Sequence, residues 1–152
     1  MNLHSGRPYT ADVPLRWSDM DAYGHVNNVQ FLRLLEDARV IGFQEWFGGR
    51  FDVLANGVIV ARHEIEYLAP LAFRHAPVHI DMWVTRIAGA SYDLGYEIRD
   101  PADAGEVLYA RAETTLVAYD FAQHRPRRLN DIERDVLTGV LGDPVPMRRR
   151  AR

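Results

Sequence analysis

The sequence predicts an α+β fold in which a five-stranded antiparallel sheet wraps around one long helix. The chain has 152 residues, and 47% of them are hydrophobic, which is enough for the core of one domain. One long segment has apolar residues at helical spacing, which predicts a helix. In several shorter segments apolar and polar residues alternate, which predicts strands. No repeat or linker divides these segments. We therefore expect one domain over residues 1–152, with its core at about 9–140.

A strand and the long helix are predicted first along the chain. Residues 9–17 have the composition of a strand, and residues 18–24 are rich in turn-forming residues. From Asn27 to Trp46, polar residues recur at helical spacing opposite a broad apolar stripe of Phe31, Leu34, Leu35, Ala38 and Ile41. The sheet is expected to bury its apolar face against this helix.

Four more strands are predicted between residues 59 and 119. Residues 59–67 alternate between two faces of a predicted strand. One face carries Ile59, Ala61, His63, Ile65 and Tyr67, and the other carries Arg62, Glu64 and Glu66. Residues 78–85 and 92–99 alternate similarly, and residues 107–119 are rich in β-forming residues. Residues 100–105 predict a hairpin loop. We expect these four strands to form a meander.

The end of the chain is predicted to contain a short helix followed by a tail. The helix is expected over residues 131–140, and residues 141–152 are expected to be a flexible, arginine-rich segment. Arginines at 148, 149, 150 and 152 are most simply solvated, although binding of an anionic ligand is an alternative.

Composition excludes several classes of chemistry. All 18 basic residues are arginine, and neither lysine nor cysteine occurs, so Schiff-base formation, thiol nucleophiles, disulfides and cysteine metal sites are excluded. The net charge of −3 gives no basic field for nucleic acid. No signal-like or membrane-spanning apolar run is present, and we expect a cytoplasmic protein that binds neither nucleic acid nor membrane.

Reactive side chains are densest between the first strand and the long helix, from Asp19 to Asn28. A helix start presents N–H groups without intrahelical partners, which can stabilise a carbonyl oxygen that gains negative charge. Asp21 could then act as a general base or as a nucleophile. Because Asp, Asn and Gly before a helix also form ordinary turns and N-caps, the residues alone leave a purely structural role open.

The segment 16–29, RWSDMDAYGHVNNV, followed by LEDAR at 35–39, resembles the hot-dog-fold acyl-CoA thioesterases of the 4-hydroxybenzoyl-CoA thioesterase type. The similarity continues through residues 62–71 and from 117–120 to 125–129, so that it covers most of residues 10–135. It implies a hot-dog fold and hydrolysis of acyl-CoA thioesters without a metal or organic cofactor. It also implies a homodimer or homotetramer whose active site lies at a subunit interface.

The resemblance also implies roles for individual residues. Asp21 matches the catalytic carboxylate, which leaves Asp19 structural, and the backbone N–H of Asn28 is expected to polarise the thioester carbonyl. Gly24 is expected to permit close approach of chain and substrate, and His25 to help hold the pocket or a water. Substrate contacts are expected from Tyr23, Asn27, Glu64, Arg86, Ser91 and Arg128.

These substrate contacts differ in what supports them. Glu64 is a candidate if its strand face lines a groove between subunits, and Ser91 matches a serine-containing turn near the pantetheine or nucleotide end of the ligand. Arg86 and Arg128 are candidate partners for nucleotide phosphates, with surface arginines that bind no ligand as the alternative.

Three alternative functions remain open from the sequence. Residues 25–28, HVNN, are shared with plant-type acyl-carrier-protein thioesterases, but Tyr23 stands where those enzymes have a polar Asn. A hot-dog hydratase or dehydratase would keep the fold and change the reaction. In a non-catalytic acyl-thioester-binding protein, the loop at Asp21 would only cap the helix.

Overall fold

Six strands and two α-helices make up the computed structural model, which describes residues 8–52, 55–101 and 105–150. The strands are β1 (Tyr9–Val13), β2 (Val58–Tyr67), β3 (Val78–Ile87), β4 (Ser91–Arg99), β5 (Leu108–Asp120) and β6 (Arg125–Pro126), and the helices are α1 (Asn28–Trp46) and α2 (Asp131–Gly139). The predicted α+β class is confirmed, as are the positions of both helices to within one residue at each end.

Helix α1 forms the centre of the core. Asn27 caps its N-terminus by accepting the N–H of Val29 on Oδ1 at 3.1 Å. Four residues of the predicted apolar stripe, Phe31, Leu34, Leu35 and Ala38, are buried and pack against the sheet. The prediction is wrong for Ile41, which is 41% exposed. Helix and sheet approach closely at Gly42, since a Cβ there would collide with Met82 Cε.

The sheet has the strand order β1-β3-β4-β5-β2, with β6 paired to β5. The meander is confirmed for β3, β4 and β5 but is wrong for β2, which pairs with β5 rather than β3. The connection from β2 to β3 spans residues 68–77 and contains Pro70 and Pro77, which is unlike a tight hairpin loop. Strand β2 consequently lies at an edge of the sheet, along its whole length.

The two faces of the sheet differ in chemistry. The helix-facing side of β3 and β4 is apolar and buried, whereas the outer side carries charged pairs such as Arg86–Asp93. A bulge between Val60 and Arg62 shifts the alternation in β2. Because of it, Ile59 lies opposite Val117 on the outer face, and the predicted placement of Ile59 and His63 on one face is wrong.

Three further predictions differ from the structure at their boundaries. Strand β1 ends at Val13, because Pro14 has no N–H for the ladder, and a 3₁₀ turn at Trp17–Asp19 follows. The hairpin loop at 100–105 is closed by a bond from the N–H of Asp100 to the Val107 carbonyl, but its residues 102–104 lie outside the described residues. The segment expected to be a flexible tail is packed from 141 to 147, with Val145 and Met147 buried.

Candidate active site

The loop between β1 and α1 is organised around the buried carboxylate of Asp19. This side chain has no exposed surface and accepts bonds from the Arg16 N–H at 2.8 Å and from Arg33 Nη2 at 2.6 Å. Its backbone carbonyl accepts the N–H of Asn27 at 2.8 Å. Burial alone would raise the pKa of Asp19, but the hydrogen bonds from Arg16 and the charge of Arg33 outweigh it and hold the pKa below its usual value. Asp19 therefore fixes the loop to the helix start.

Asp21 lies at the turn of this loop and is only partly buried. Its Oδ1 accepts the backbone N–H groups of Tyr23 at 2.8 Å and His25 at 3.2 Å. The N–H of Asp21 donates to the His25 carbonyl at 2.8 Å, and Gly24 closes the turn at φ = 78°. This conformation favours glycine, since L side chains rarely adopt it. One carboxylate oxygen is thus held by the loop, while Oδ2 has no hydrogen-bond partner among the described residues.

Asn28 is the first residue of α1 and lies beside Asp21 on the same cleft. The side chain of Asn27, the N-cap residue, accepts the N–H of Val29, and the backbone carbonyl of Asn27 accepts the N–H of Gln30 at 2.8 Å. The Asn28 N–H donates no hydrogen bond within the part of the chain that the structure describes. An N–H of this kind at a helix start, together with the helix dipole, can stabilise a carbonyl oxygen that becomes negatively charged.

A cleft of about 360 Å³ joins these groups to the end of β2. Its lining consists of the loop, the first turn of α1 and the chain that leaves β2: Asp21, His25, Val26, Asn28, Phe31, Tyr67, Leu68, Ala69, Pro70 and Leu71. Polar groups lie at the helix start, and apolar side chains form the remaining wall. The arrangement can take a carbonyl group next to a carboxylate, with an apolar substituent alongside.

Tyr67 was not among the expected site residues, whereas Phe31 was expected on the apolar stripe of the long helix, and both line the cleft. The Tyr67 hydroxyl donates to the Asn28 carbonyl at 2.8 Å, and its ring packs edge-on against Phe31 with centroids 5.1 Å apart. Burial raises the pKa of Tyr67. The sequence places Tyr67 at the end of a predicted strand within the segment that resembles the family. It does not show that this strand end lies next to the loop at Asp21, because that contact depends on the tertiary fold.

The structure does not bring every expected site residue to this cleft. Tyr23 is 85% exposed and does not line it, and the side chain of Asn27 is used in capping the helix. Glu64 lies on the outer sheet face, where it accepts a bond from Arg62 at 2.5 Å. In one chain, then, Glu64 does not reach the helix-side cleft.

Arg86, Ser91 and Arg128 lie at the other end of the sheet. Ser91 is opposite residue 117 of β5 and Tyr67 is opposite residue 110, a separation of roughly 23 Å at ~3.3 Å per residue. Arg86 is bound there to Asp93 at 2.8 Å and to Ser91 at 3.2 Å. Within one chain these residues cannot contact a small group held at Asp21.

A second cleft, of about 290 Å³, lies between α1 and the start of β2. Its walls include Phe43, Phe51 and Val58, together with Arg39, which is only 7% exposed and donates to the Tyr96 hydroxyl at 3.2 Å. Nearby, burial and then the charge of Arg39 lower the pKa of His63. This cleft is more apolar than the first but contains neither a free carboxylate beside a helix start nor the expected catalytic residues.

Two further findings concern metals and membranes. Within residues 8–52, 55–101 and 105–150, no three His, Asp or Glu side chains are grouped so that they could hold a metal ion. The same residues include no helix with the length and apolar character needed to cross a membrane.

The chain is similar to known thioesterases in sequence and in fold. A family model described as the thioesterase-like superfamily matches residues 15–147. A thioesterase from Thermus thermophilus, solved in complex with coenzyme A and zinc, is 28% identical with a TM-score of 0.74, covering 91% of this chain and 98% of its own. No match was found among curated proteins.

Two other solved structures are similar to the chain. A Pseudomonas aeruginosa protein described as a candidate thioesterase is 31% identical with a TM-score of 0.73, covering 85% of this chain and 97% of its own. A candidate acyl-CoA thioesterase from Xanthomonas campestris is 28% identical with a TM-score of 0.66, covering 81% of this chain and 99% of its own. These likenesses confirm the predicted hot-dog fold.

Proposed function

Because the chain belongs to the thioesterase-like superfamily, we propose that it hydrolyses acyl-CoA thioesters to the free acid and CoA, with Asp21 as the reacting carboxylate. The observation that carries this proposal is the position of Asp21 and the Asn28 N–H on one cleft. The coenzyme A in the similar Thermus thermophilus structure and the acyl-CoA description of the Xanthomonas campestris protein support the choice of substrate.

The proposed reaction uses the two oxygens of Asp21 differently. Oδ1 stays bound to the N–H groups of Tyr23 and His25, so Oδ2 is the atom that reacts. As a general base, it removes a proton from a water whose oxygen attacks the thioester carbon. The carbonyl oxygen becomes an oxyanion next to the Asn28 N–H, and breaking the C–S bond releases CoA, which takes up the proton. As a nucleophile, Oδ2 would attack the carbon directly, the C–S bond would break, and the CoA thiolate would leave. Water would then hydrolyse the resulting anhydride to the free acid and the Asp21 carboxylate, and the proton released would go to the CoA thiolate.

We assign supporting roles to two neighbouring residues. His25 lines the cleft, and its backbone N–H binds Asp21 Oδ1, so its side chain is placed to hold the attacking water or the pocket wall. The Tyr67 hydroxyl donates to the Asn28 carbonyl and thereby fixes the peptide group between Asn28 and Val29. Neither role requires a metal or an organic cofactor.

The proposal includes a homodimer joined through β2. This edge strand is ten residues long, and Ile59 and Val60 are 40% and 44% exposed. An unpaired edge of this length is a template for pairing with another strand. Antiparallel pairing of β2 with β2 of a second copy would bring the Ser91 end of one copy towards the Asp21 end of the other, which accounts for expected site residues at both ends of the sheet.

Thiol release from a panel of aromatic, short-chain and long-chain acyl-CoAs tests this function. Wild type is compared with Asp21→Asn, and Asp135→Asn, an exposed acid on α2, is the matched control. We expect kcat/KM to fall about 100-fold or more in Asp21→Asn and to remain unchanged in the control. Since the chain has no cysteine, the protein contributes no thiol background.

Adding acyl-carrier-protein and enoyl-CoA substrates to this panel separates the alternatives. Full activity in Asp21→Asn would contradict the assignment of the carboxylate. Hydrolysis of acyl-carrier-protein but not of acyl-CoA would change the substrate, and addition of water to an enoyl-CoA would identify a hydratase. Binding of acyl-CoA without turnover would indicate a non-catalytic protein.

A further inference from the structure

A segment near the C-terminus crosses the outer face of the sheet as a strap. We define the C-terminal strap as residues 141–150. It starts beside β3, where the N–H of Gly142 donates to the Val84 carbonyl at 2.8 Å. Trp83 Nε1 then donates to the Asp143 carbonyl at 2.7 Å. The strap is thereby fixed to the sheet at the point where it begins to cross.

Buried side chains hold the middle of the C-terminal strap. Val145 and Met147 are almost completely buried, although both belong to a segment without regular structure. Gly95 on β4 leaves the space that Val145 occupies, since a Cβ at residue 95 would lie 2.6 Å from Val145 Cγ2. Burial of these side chains stabilises the strap against detachment.

The C-terminal strap reaches β2 on the outer face of the sheet, near the end of β2 at which the helix-side cleft lies. The N–H of Arg148 donates to Glu66 Oε1 at 2.7 Å, and Glu66 directly precedes Tyr67, which lines the cleft. A 3₁₀ turn at Arg148–Arg150 follows. Arg148 and Arg149 are therefore held at the Tyr67 end of the sheet, far from Arg86 and Arg128.

The guanidinium groups of Arg148 and Arg149 are exposed and form no ion pair within the described part of the chain. On the same face, by contrast, Arg111 binds Glu97 at 3.0 Å, and Arg62 binds Glu64. Glu66 is the acid in direct contact with the turn, and it is engaged by a backbone N–H. Two arginine charges against one carboxylate leave a local positive field.

Building on the proposed function, we propose that Arg148 and Arg149 bind the phosphate groups at the nucleotide end of coenzyme A. The pantetheine arm separates these phosphates from the thioester, so a ligand whose carbonyl lies at Asn28 has its phosphates outside the cleft. The planar guanidinium forms paired hydrogen bonds with phosphate oxygens, which suits this position. The proposal moves phosphate binding from Arg86, whose guanidinium is held by Asp93, to the C-terminal strap.

Calorimetric titration with CoA and with pantetheine, which lacks the nucleotide and its phosphates, tests this proposal without requiring catalysis. The test variant is Arg148→Gln/Arg149→Gln, which keeps the backbone bond to Glu66. The matched control is Arg50→Gln/Arg125→Gln, which removes two other exposed arginines to which no ligand contact is assigned. We expect Kd for CoA to rise about tenfold in the test variant and less than about twofold in the control.

Affinity for pantetheine should be the same in all three proteins, and added salt should weaken CoA binding to wild type more than to the test variant. The proposal is overturned if the test variant binds CoA as tightly as wild type, if pantetheine affinity falls equally, or if wild type does not bind CoA. Arginine-dependent CoA binding in a protein that hydrolyses no acyl-CoA would support this inference while refuting the proposed function.

Discussion

The hydroxyl of Tyr67 donates to the backbone carbonyl of Asn28 at 2.8 Å, which ties the end of the edge strand to the first residue of the central helix. The Tyr67 ring also packs against Phe31, one turn further along the helix. The edge strand β2 therefore also holds the residue that supplies the proposed oxyanion donor. Changes at the edge and changes in activity are expected to be coupled through this residue.

Replacing Tyr67 with Phe should lower kcat/KM for acyl-CoA by about three- to tenfold, the effect of losing one hydrogen bond of ~1 kcal/mol. The ring contact with Phe31 is retained, so the variant should remain folded. Steady-state kinetics on the preferred acyl-CoA provide the measurement. Tyr9→Phe removes a hydroxyl on β1, at the opposite edge of the sheet and outside the cleft, and should have no effect. Equal losses in the two variants would argue against a positioning role for Tyr67.

Replacing Asp19 with Asn should destabilise the protein by about 3 kcal/mol, because Arg16 and Arg33 would lose a fully buried carboxylate partner. Asp37→Asn is a matched control, since Asp37 binds Arg33 at the same 2.6 Å but has a side chain that is 41% exposed. Its loss should be below about 1 kcal/mol. Urea unfolding at pH 7 measures both free energies of unfolding. A similar small cost in both variants would show that Asp19 does not organise the loop.

Stability should fall in acid, and Glu133 should account for part of the loss. Burial would raise the pKa of this 2%-exposed carboxyl, but hydrogen bonds from Arg127 and the Asn130 N–H hold the pKa below its usual value. A group with a lowered folded-state pKa stabilises the protein above its unfolded-state pKa, and this contribution is lost as the pH falls through the folded-state pKa. The free energy of unfolding in urea should therefore decrease below about pH 5, where carboxyls of the unfolded chain begin to bind protons.

A variant comparison isolates that contribution. Glu133→Gln should be less stable than wild type at pH 7 and should lose less stability between pH 6 and pH 3. Asp131→Asn, at an exposed acid in the first turn of the same helix, should follow the wild-type pH dependence. Identical pH profiles for wild type and Glu133→Gln would refute the role of the Arg127–Glu133 pair.

Local sequence patterns predicted the elements better than their connections. Helix α1 was predictable because its apolar stripe and Asn27 cap are local features. The pairing of β2 with β5 was not predictable, since it depends on the path of the long connection from β2 to β3 through Pro70 and Pro77. The bulge at Val60 reversed the expected face of Ile59, because a single extra residue changes a two-residue alternation.

The candidate site divides in the same way. Asp21, His25 and Asn28 lie within one loop and helix start, so a contiguous motif identified them together, although their roles remain a proposal. Tyr67 reaches them from a distant strand. The C-terminal strap packs into the space that Gly95 leaves on the folded sheet. This space is a property of the tertiary structure, so the sequence predicted Val145 as part of a flexible tail.

Replacing Gly95 with Ala should displace the C-terminal strap. The added Cβ would lie 2.6 Å from Val145 Cγ2 and 2.9 Å from Thr85 Cγ2, closer than packed atoms tolerate. We expect a loss of about 1–3 kcal/mol in stability and faster tryptic cleavage at Arg148. Gly139→Ala meets no atom within 4 Å and should be neutral or slightly stabilising. An unchanged cleavage rate in Gly95→Ala would show that Val145 does not anchor the strap.

A charge on the exposed edge of β2 should separate the proposed dimer. Wild type should have a mass of about 35 kDa by light scattering, twice the 17.4 kDa of one chain, or a multiple of that mass if dimers associate further. Val60→Asp places an unpaired carboxylate on the edge and should shift the mass towards 17.4 kDa while lowering acyl-CoA hydrolysis. Val107→Asp makes the same change at a comparably exposed valine, 41% against 44%, which precedes β5 and does not lie on the β2 edge, and should leave both mass and activity unchanged. A fully active Val60→Asp monomer would show that one chain is sufficient for the site, because the cleft at Asp21 would then bind and turn over its substrate without a second copy.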